Sequence, residues 1–149
     1  MTTNAQVPTK VYYEDMHVGY TLPSLVKPPI THLQLVRYAG ASGDFNPLHT
    51  DAQVGEKLGF GGVIAHGMLI MGFTGQMLSD FIGPEVLRSL DVRFKGMTHL
   101  GDIITCTGVI TEIDDAKGKG RISGTVQATD QTGNVKLTGT FTAVLPKRN

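Results

Sequence analysis

From Gly67 to Ile82 the chain reads GMLIMGFTGQMLSDFI, a stretch that is apolar on nearly every side. A helix without a polar face is normally buried by the rest of its protein. Gly72 and Gly75 lower the helix propensity, so we expect them to allow close packing of the backbone. Gly83-Pro84 ends the helix. The stretch therefore predicts one long, buried helix around which the rest of the fold is organised.

The sequence after this helix alternates apolar and polar residues with a period of two, as half-buried strands do. Turn-forming runs at Asp114–Gly118 and Asp130–Gly133 connect the last three strands as hairpins. We therefore expect an α+β fold in which a strongly curved antiparallel sheet wraps around the helix. A second copy would be the simplest partner for the open edge of that sheet. The predicted strands are Leu87–Lys95, Asp102–Ile113, Gly120–Thr129 and Asn134–Leu145.

The sequence before the helix predicts smaller elements. Val11–Tyr20 is interpreted as a short edge element, and Leu22–Ile30 as an extended segment because its prolines block a helix. Thr31 is the predicted N-cap of a helix that Gly40–Gly43 ends. A second, short helix is expected at Ala52–Leu58, before a glycine-rich loop.

The composition fits a single domain that spans residues 1–149. Lys plus Arg and Asp plus Glu number 13 each, which disfavours nucleic acid or an anionic membrane as the main partner. A local basic patch for a phosphate-bearing ligand is an open alternative. The polar start MTTNAQVPTK lacks the apolar core of a signal peptide, and no apolar run reaches the roughly 20 residues that span a bilayer. We therefore expect a cytoplasmic protein without a membrane partner.

Cys106 is the single cysteine of the chain. One thiol excludes an internal disulfide and supplies no pair of metal ligands. It lies in an alternating run, Ile103–Thr107, which favours a buried thiol on a strand over a nucleophile.

A carboxylate and an imidazole stand five positions apart in the run Asp44-Phe-Asn46-Pro47-Leu-His49. Pro47 makes a regular helix unfavourable here, and a turn can aim both side chains at one point. A water held there could be activated and a proton returned, because the pair contains an acid and a base. Asn46 could fix the turn by bonding nearby backbone. The alternative is that Asp44 and Asn46 are turn residues and that His49 caps a helix end.

The second candidate feature is Gly67, at the predicted start of the buried helix. Backbone N–H groups in the first turn of a helix have no partner inside the helix and carry partial positive charge. Such a group could hold an oxygen on which negative charge develops, and glycine lets a carbonyl approach closely. The alternative is that Gly67 only fits a tight corner. His66 is interpreted as structural support for this corner.

Other polar groups carry weaker signals. A metal site built from Asp44, His49, Asp51 and His66 is not favoured, because no recognised ligand spacing is present. His17, His32 and His99 stand in turn or surface contexts without an evident partner. The run Lys117–Gly120 is a hairpin tip and not a phosphate loop. Three methionines of the buried helix are predicted to pack in the core, although part of the run could line an acyl pocket: Met68, Met71 and Met77.

Two motifs together resemble the signature of the (R)-specific enoyl-CoA hydratases, or MaoC-like dehydratases. The first is YAGASGDFNPLH at Tyr38–His49, and the second is IAHGM at Ile64–Met68. The segment YYEDMHVG at Tyr12–Gly19 is also similar to that family. The resemblance covers nearly the whole chain and implies a hot-dog fold, a sheet wrapped around a central helix, used as a dimer or as half of a double hot dog.

The resemblance implies roles for individual residues. Asp44 and His49 would be the catalytic dyad, and the Gly67 amide would hold the thioester carbonyl. Ser42, Asn46 and His66 would support the site. Some relatives have a helper serine further along the central helix; the aligned position here is Gly75, with Thr74 beside it.

The implied reaction is reversible addition of water to a trans-2-enoyl thioester, giving an (R)-3-hydroxyacyl thioester. No metal or redox cofactor is expected, because coenzyme A or acyl carrier protein belongs to the substrate. Two alternatives stay open. One is a non-catalytic hot-dog subunit that binds an acyl thioester or pairs with a catalytic partner, and the other is a hot-dog thioesterase.

Overall fold

The computed structural model describes residues 10–149, which form a curled five-stranded antiparallel sheet against one long helix. Residues 1–9, on which the prediction about a signal peptide rests, lie outside the described residues. The helices are α1 (His32–Ser42), α2 (Ala52–Lys57) and α3 (Gly67–Ile82). The strands are β1 (Leu25–Val26), β2 (Leu87–Phe94), β3 (Thr105–Asp114), β4 (Arg121–Thr129) and β5 (Val135–Val144).

Helix α3 has the predicted bounds, Gly67 to Ile82. Its inner side shares one apolar cluster with the sheet, and burying each large side chain there contributes roughly 1.5–3 kcal/mol. The prediction that no side of α3 is exposed was wrong, because the sheet of one chain covers the helix from one direction only. The exposed residues of α3 recur every four positions, at Met68, Gly72, Gln76 and Asp80.

The strands are arranged in the order β1-β3-β4-β5-β2, and every pairing is antiparallel. The hairpins β3–β4 and β4–β5 confirm the predicted connections. Strand β2 lies at one edge and pairs only with β5 among the described residues, whereas the other edge is the two-residue strand β1. One long strand edge is therefore open in residues 10–149.

The elements before α3 agree with the sequence in part. Thr31 caps α1 by accepting a hydrogen bond from the N–H of Gln34, and α1 ends at Gly43, whose φ of 76° suits glycine. The predicted edge element at Val11–Tyr20 is present only in part, because most of this segment is not strand and it contains a 3-10 turn at Tyr13–Asp15. Its end does lie along the edge of β3, where the Gly19 N–H and the Tyr20 carbonyl bond with Ile110 and Thr21 bridges to Val109.

The predicted roles of several small and apolar residues need correction. A Cβ at Gly72 would meet no atom within 4 Å in the described part of the chain, and one at Gly75 would make only an ordinary contact with Leu90. Neither glycine is therefore required for close packing. Met77 is buried, but Met68 is 56% exposed because it lies on the uncovered side of α3.

Cys106 is fully buried on β3, as the alternation predicted. Burial raises the pKa of its thiol. No helix within residues 10–149 has the length and apolar character needed to cross a membrane.

Candidate active site

A ladder of short polar side chains builds the loop that carries Asp44. Ser42 Oγ accepts a hydrogen bond from the Asp44 N–H, Asp44 Oδ1 accepts from the Asn46 N–H, and Asn46 Oδ1 accepts from the Leu48 N–H, each at 3.2 Å. Such contacts two residues ahead are what Ser, Asp and Asn form in turns. They fix the loop and use Oδ1 of Asp44, so that Oδ2 is not part of the ladder. Asp44 is consequently held by its own segment, with a side chain that is 52% exposed.

His49 follows on a 3-10 turn, Pro47–His49, and is buried. Its Nδ1 lies 2.7 Å from the carbonyl oxygen of Ile64. A carbonyl only accepts, so the proton is assigned to Nδ1 and the lone pair to Nε2. Nε2 lies 3.5 Å from Oδ2 of Asp44. The two side chains therefore face each other across a gap that is slightly too wide for a direct hydrogen bond.

His66 lies behind this pair. Its Nε2 donates to the backbone oxygen of Asp44 at 3.1 Å, and its ring stacks on the His49 ring with centroids 3.8 Å apart. Tyr38 packs edge-on against the other side at 4.8 Å. Burial lowers the pKa of His66, and the nearby His49 lowers it further, against the opposing effect of Asp44. A neutral His66 thus braces both members of the pair through its ring and its Nε2–H.

Gly67 is the first residue of α3. The preceding residue, His66, has extended backbone angles, and no side chain within the described residues caps the helix at this position. A Cβ built at Gly67 would come within 3.0 Å of the Phe94 ring. A side chain at this position would therefore press on Phe94, which limits it to glycine unless the ring moves.

His49 and Gly67 line the same pocket, which has a volume of about 310 Å³. Its other walls come from the loop before α3 and from the end of β2 with the residues that follow. The pocket falls at the lower end of the range typical for small-molecule sites. The remaining lining residues are Leu48, Ile64, Ala65, Ile70, Phe94, Gly96, Met97, Thr98 and Lys136.

The histidine geometry does not favour the metal alternative. Asp44, His49 and His66 each offer a ligand atom within 4.8 Å of the others. However, the two rings are stacked with only 21° between their planes. Lone pairs in nearly parallel planes do not converge on one ion about 2.0–2.1 Å from each nitrogen. Asp51 is occupied elsewhere, because its carboxylate accepts from the Gln53 N–H to cap α2.

Two expectations about other side chains were wrong or incomplete. His32 and His99 do have partners, since their Nε2 atoms bond the carbonyl oxygens of Thr50 and Phe60, at 2.7 and 3.1 Å. Thr74 is fully buried, bonds the Ile70 carbonyl and contacts Cys106. Thr74 is therefore a core residue and is not available as a substitute for the helper serine.

The sequence is similar to known dehydratases and hydratases over nearly all of its length. Residues 17–132 match the sequence model of the MaoC like domain. A 3-hydroxybutyryl-CoA dehydratase from Methylorubrum extorquens is 29% identical over 140 residues, covering 93% of this chain and 86% of that protein. An (R)-specific enoyl-CoA hydratase from Rhodospirillum rubrum is 30% identical over 139 residues, covering 92% of this chain and 93% of that protein.

The fold is also that of a solved hydratase. The unliganded R-hydratase PhaJ1 from Pseudomonas aeruginosa superposes with a TM-score of 0.83 at 25% identity, covering 93% of this chain and 88% of that one. The predicted hot-dog fold is therefore confirmed.

Proposed function

The chain belongs to the MaoC-like dehydratase family, and from this we propose that it is a hydro-lyase acting on acyl thioesters. The reaction is the reversible addition of water to a trans-2-enoyl thioester, which gives an (R)-3-hydroxyacyl thioester. The two relatives named above as an enoyl-CoA hydratase and a hydroxybutyryl-CoA dehydratase support this reaction class.

One observation carries the proposal: a carboxylate oxygen and an imidazole nitrogen face each other 3.5 Å apart beside a pocket. Both atoms are acceptors when Asp44 is ionised and His49 carries its proton on Nδ1. One water molecule can donate a hydrogen bond to each of them, which turns its own lone pair outward. Such a water is positioned to attack an electrophilic carbon in the pocket.

In the proposed mechanism one proton moves from water to Asp44 and then to the substrate. The water oxygen bonds to Cβ of the enoyl group while Asp44 takes a proton from it. The electron pair of the double bond moves towards the thioester carbonyl and forms an enolate. The proton held by Asp44 then returns to Cα on the same face. His49 orients the water, and the reverse sequence dehydrates the hydroxyacyl thioester.

The amide of Gly67 stabilises the enolate oxygen in this mechanism. It is the first N–H of α3, where the partial positive charge of a helix start is concentrated. A donor aimed at developing negative charge lowers the barrier because it interacts more strongly with the transition state than with the substrate. No step requires a metal or a redox cofactor, and the thiol carrier, coenzyme A or acyl carrier protein, is part of the substrate.

Gly67→Ala is expected to lower kcat/KM for crotonyl-CoA by roughly 10- to 100-fold, because the added Cβ displaces Phe94 and obstructs the carbonyl. Gly40→Ala is the matched control, since Gly40 lies in α1 and a Cβ there meets open space in the described residues. It should retain the wild-type rate. Unimpaired hydration by Gly67→Ala would exclude a close approach of the substrate to this amide.

The test of the proposed function is an assay of the purified protein with enoyl-CoA substrates of increasing chain length. Hydration removes the absorbance of the conjugated enoyl thioester and releases no thiol. Release of free coenzyme A, detected with a thiol-reactive dye, would instead identify a thioesterase. A folded protein that does neither alone would be a non-catalytic subunit that needs a partner.

We also propose that two copies pair through the β2 edge to form a homodimer. This edge is eight residues long and has no partner strand within residues 10–149. Long open edges are normally covered, and twofold pairing covers two at once. Light scattering of the purified chain should give twice the mass of one chain, whereas a stable monomer would contradict the proposal and point to a different partner chain.

A further inference from the structure

Lys136 is a buried cation next to the proposed site. It lies on β5 and is only 7% exposed, although a lysine is almost never buried to this extent without a partner. Its ammonium donates to the carbonyl oxygen of Met97 at 2.7 Å. It also lies 3.0 Å from Asp130 Oδ2 and 3.6 Å from Asp102 Oδ2. Its side chain is in the wall of the pocket that His49 and Gly67 line.

The charges around Lys136 show that it does not bind a ligand anion. Burial opposes ionisation of Asp130, but hydrogen bonds from Thr132, Lys136 and Asn134 outweigh it and hold the pKa of this carboxyl well below its usual value. Two carboxylates thus lie beside one ammonium, which is within hydrogen-bond distance of the Met97 carbonyl and of Asp130, with Asp102 slightly further away at 3.6 Å. The lysine serves the protein and not a bound molecule.

Lys136 holds the segment Met97–His99 at both ends. It bonds the Met97 carbonyl directly. At the other end, Asp102 Oδ2 accepts from the His99 N–H at 2.8 Å and is the same oxygen that faces the ammonium. The buried charge therefore contacts one end of this segment directly and the other end through Asp102, and His99 is also held by its bond to the Phe60 carbonyl.

This segment in turn positions the site. The carbonyl oxygen of Thr98 accepts from the Ala65 N–H at 2.8 Å. Ile64, the residue before Ala65, carries the carbonyl that binds Nδ1 of His49. Gly67, the first residue of α3, is two residues after Ala65. The orientation of the imidazole and the position of the helix amide thus both depend on where Thr98 lies.

We propose that Lys136 is a positioning residue for both halves of the site, acting through Met97–His99 on the Ile64 carbonyl and on the start of α3. This inference rests on the proposed hydratase function for its effect on rate. The effect of Lys136 on the tautomer of His49 can be measured whether or not the protein is a hydratase.

Three variants separate positioning from plain stabilisation: Lys136→Met, Asp130→Asn and the combination of both. Asp130→Asn removes the charge of one carboxylate partner of Lys136, a residue that does not line the pocket, and leaves the Met97 bond. Lys136→Met removes that bond and leaves two carboxylates without their cation. In the double variant one of those charges is also gone, so it should unfold at higher denaturant concentration than Lys136→Met.

We expect Lys136→Met and the double variant to lose roughly 10- to 100-fold in kcat/KM, since small displacements of reacting groups have effects of that size. Asp130→Asn should keep the wild-type rate despite lower stability. If Lys136 only stabilised the fold, activity would follow stability through the series. Recovery of the rate in the double variant would therefore overturn the proposal.

Nitrogen-15 NMR of the histidine rings supplies the readout that is independent of catalysis. His49 should be a single Nδ1–H tautomer in the wild type and in Asp130→Asn, and a mixture of tautomers in both variants that lack Lys136. A single tautomer in Lys136→Met or in the double variant would refute positioning, even if the wild type hydrates nothing. An inactive wild type with the expected tautomer change would refute only the hydratase proposal.

Discussion

Asp44→Asn is expected to lower the rate of crotonyl-CoA hydration by roughly 10²- to 10⁴-fold, the range typical for loss of a general base. Asparagine has nearly the same shape as aspartate but cannot take a proton from water. The loop should stay intact because the amide oxygen can still accept from the Asn46 N–H, as Asp44 Oδ1 does. Initial rates from enoyl-thioester absorbance measure the effect, and far-UV circular dichroism checks the fold.

Asp51→Asn is the matched control for this loss. It removes a carboxylate seven residues away in the same region of the chain, where the side chain caps α2. Asparagine is as good an N-cap as aspartate, so stability and rate should both be preserved. An Asp44→Asn protein with the wild-type rate, beside an unchanged control, would remove Asp44 from the mechanism.

His49→Ala is expected to lose activity on the same scale, roughly 10²- to 10⁴-fold. The variant loses Nε2, which faces Asp44, and can no longer orient the attacking water. It also loses the bond to the Ile64 carbonyl and the stacking on His66, so its free energy of unfolding should fall. Denaturant titration is needed beside the rate measurement, and the rates are compared at a temperature where both proteins are folded.

The double variant Asp44→Asn/His49→Ala tests whether the two residues act on one water molecule. Groups that act as a unit give losses far from additive, so the double variant should be little slower than the worse single variant. Losses that multiply would mean that the two side chains contribute independently. That result would contradict a shared water even if both single variants are slow.

The main elements could be predicted because local signals agreed with the final packing. The apolar run from Gly67 to Ile82 has a glycine at each boundary, and its bounds as a helix were correct. The strands after it follow a period of two between strong turn signals, and each predicted boundary differs from the structure by no more than three residues. The turn contacts of Asp44 and Asn46 are local, so the sequence alone indicated that these two residues form a turn.

The parts that were missed depend on contacts between distant segments. Lys136 stands next to Leu137 on β5, and alternation predicts that one of the two faces solvent, yet both are buried. Only the pairing of Lys136 with Asp102 and Asp130 explains this, and those residues come from different turns. The same applies to His99, whose partner Phe60 is 39 positions away. The exposed stripe of α3 was missed because a sequence does not show on how many sides a helix is covered.

Because Cys106 is buried, its reaction with a thiol reagent can report the separation of α3 from the sheet. The thiol has no exposed surface and lies on β3 against Thr74 of α3, and burial raises its pKa. A dye that reacts with thiolates should label it only when the helix separates from the sheet. The dye assay for released coenzyme A should therefore have little background from folded protein. In the absence of substrate, the labelling rate reports the free energy of opening for every variant described above.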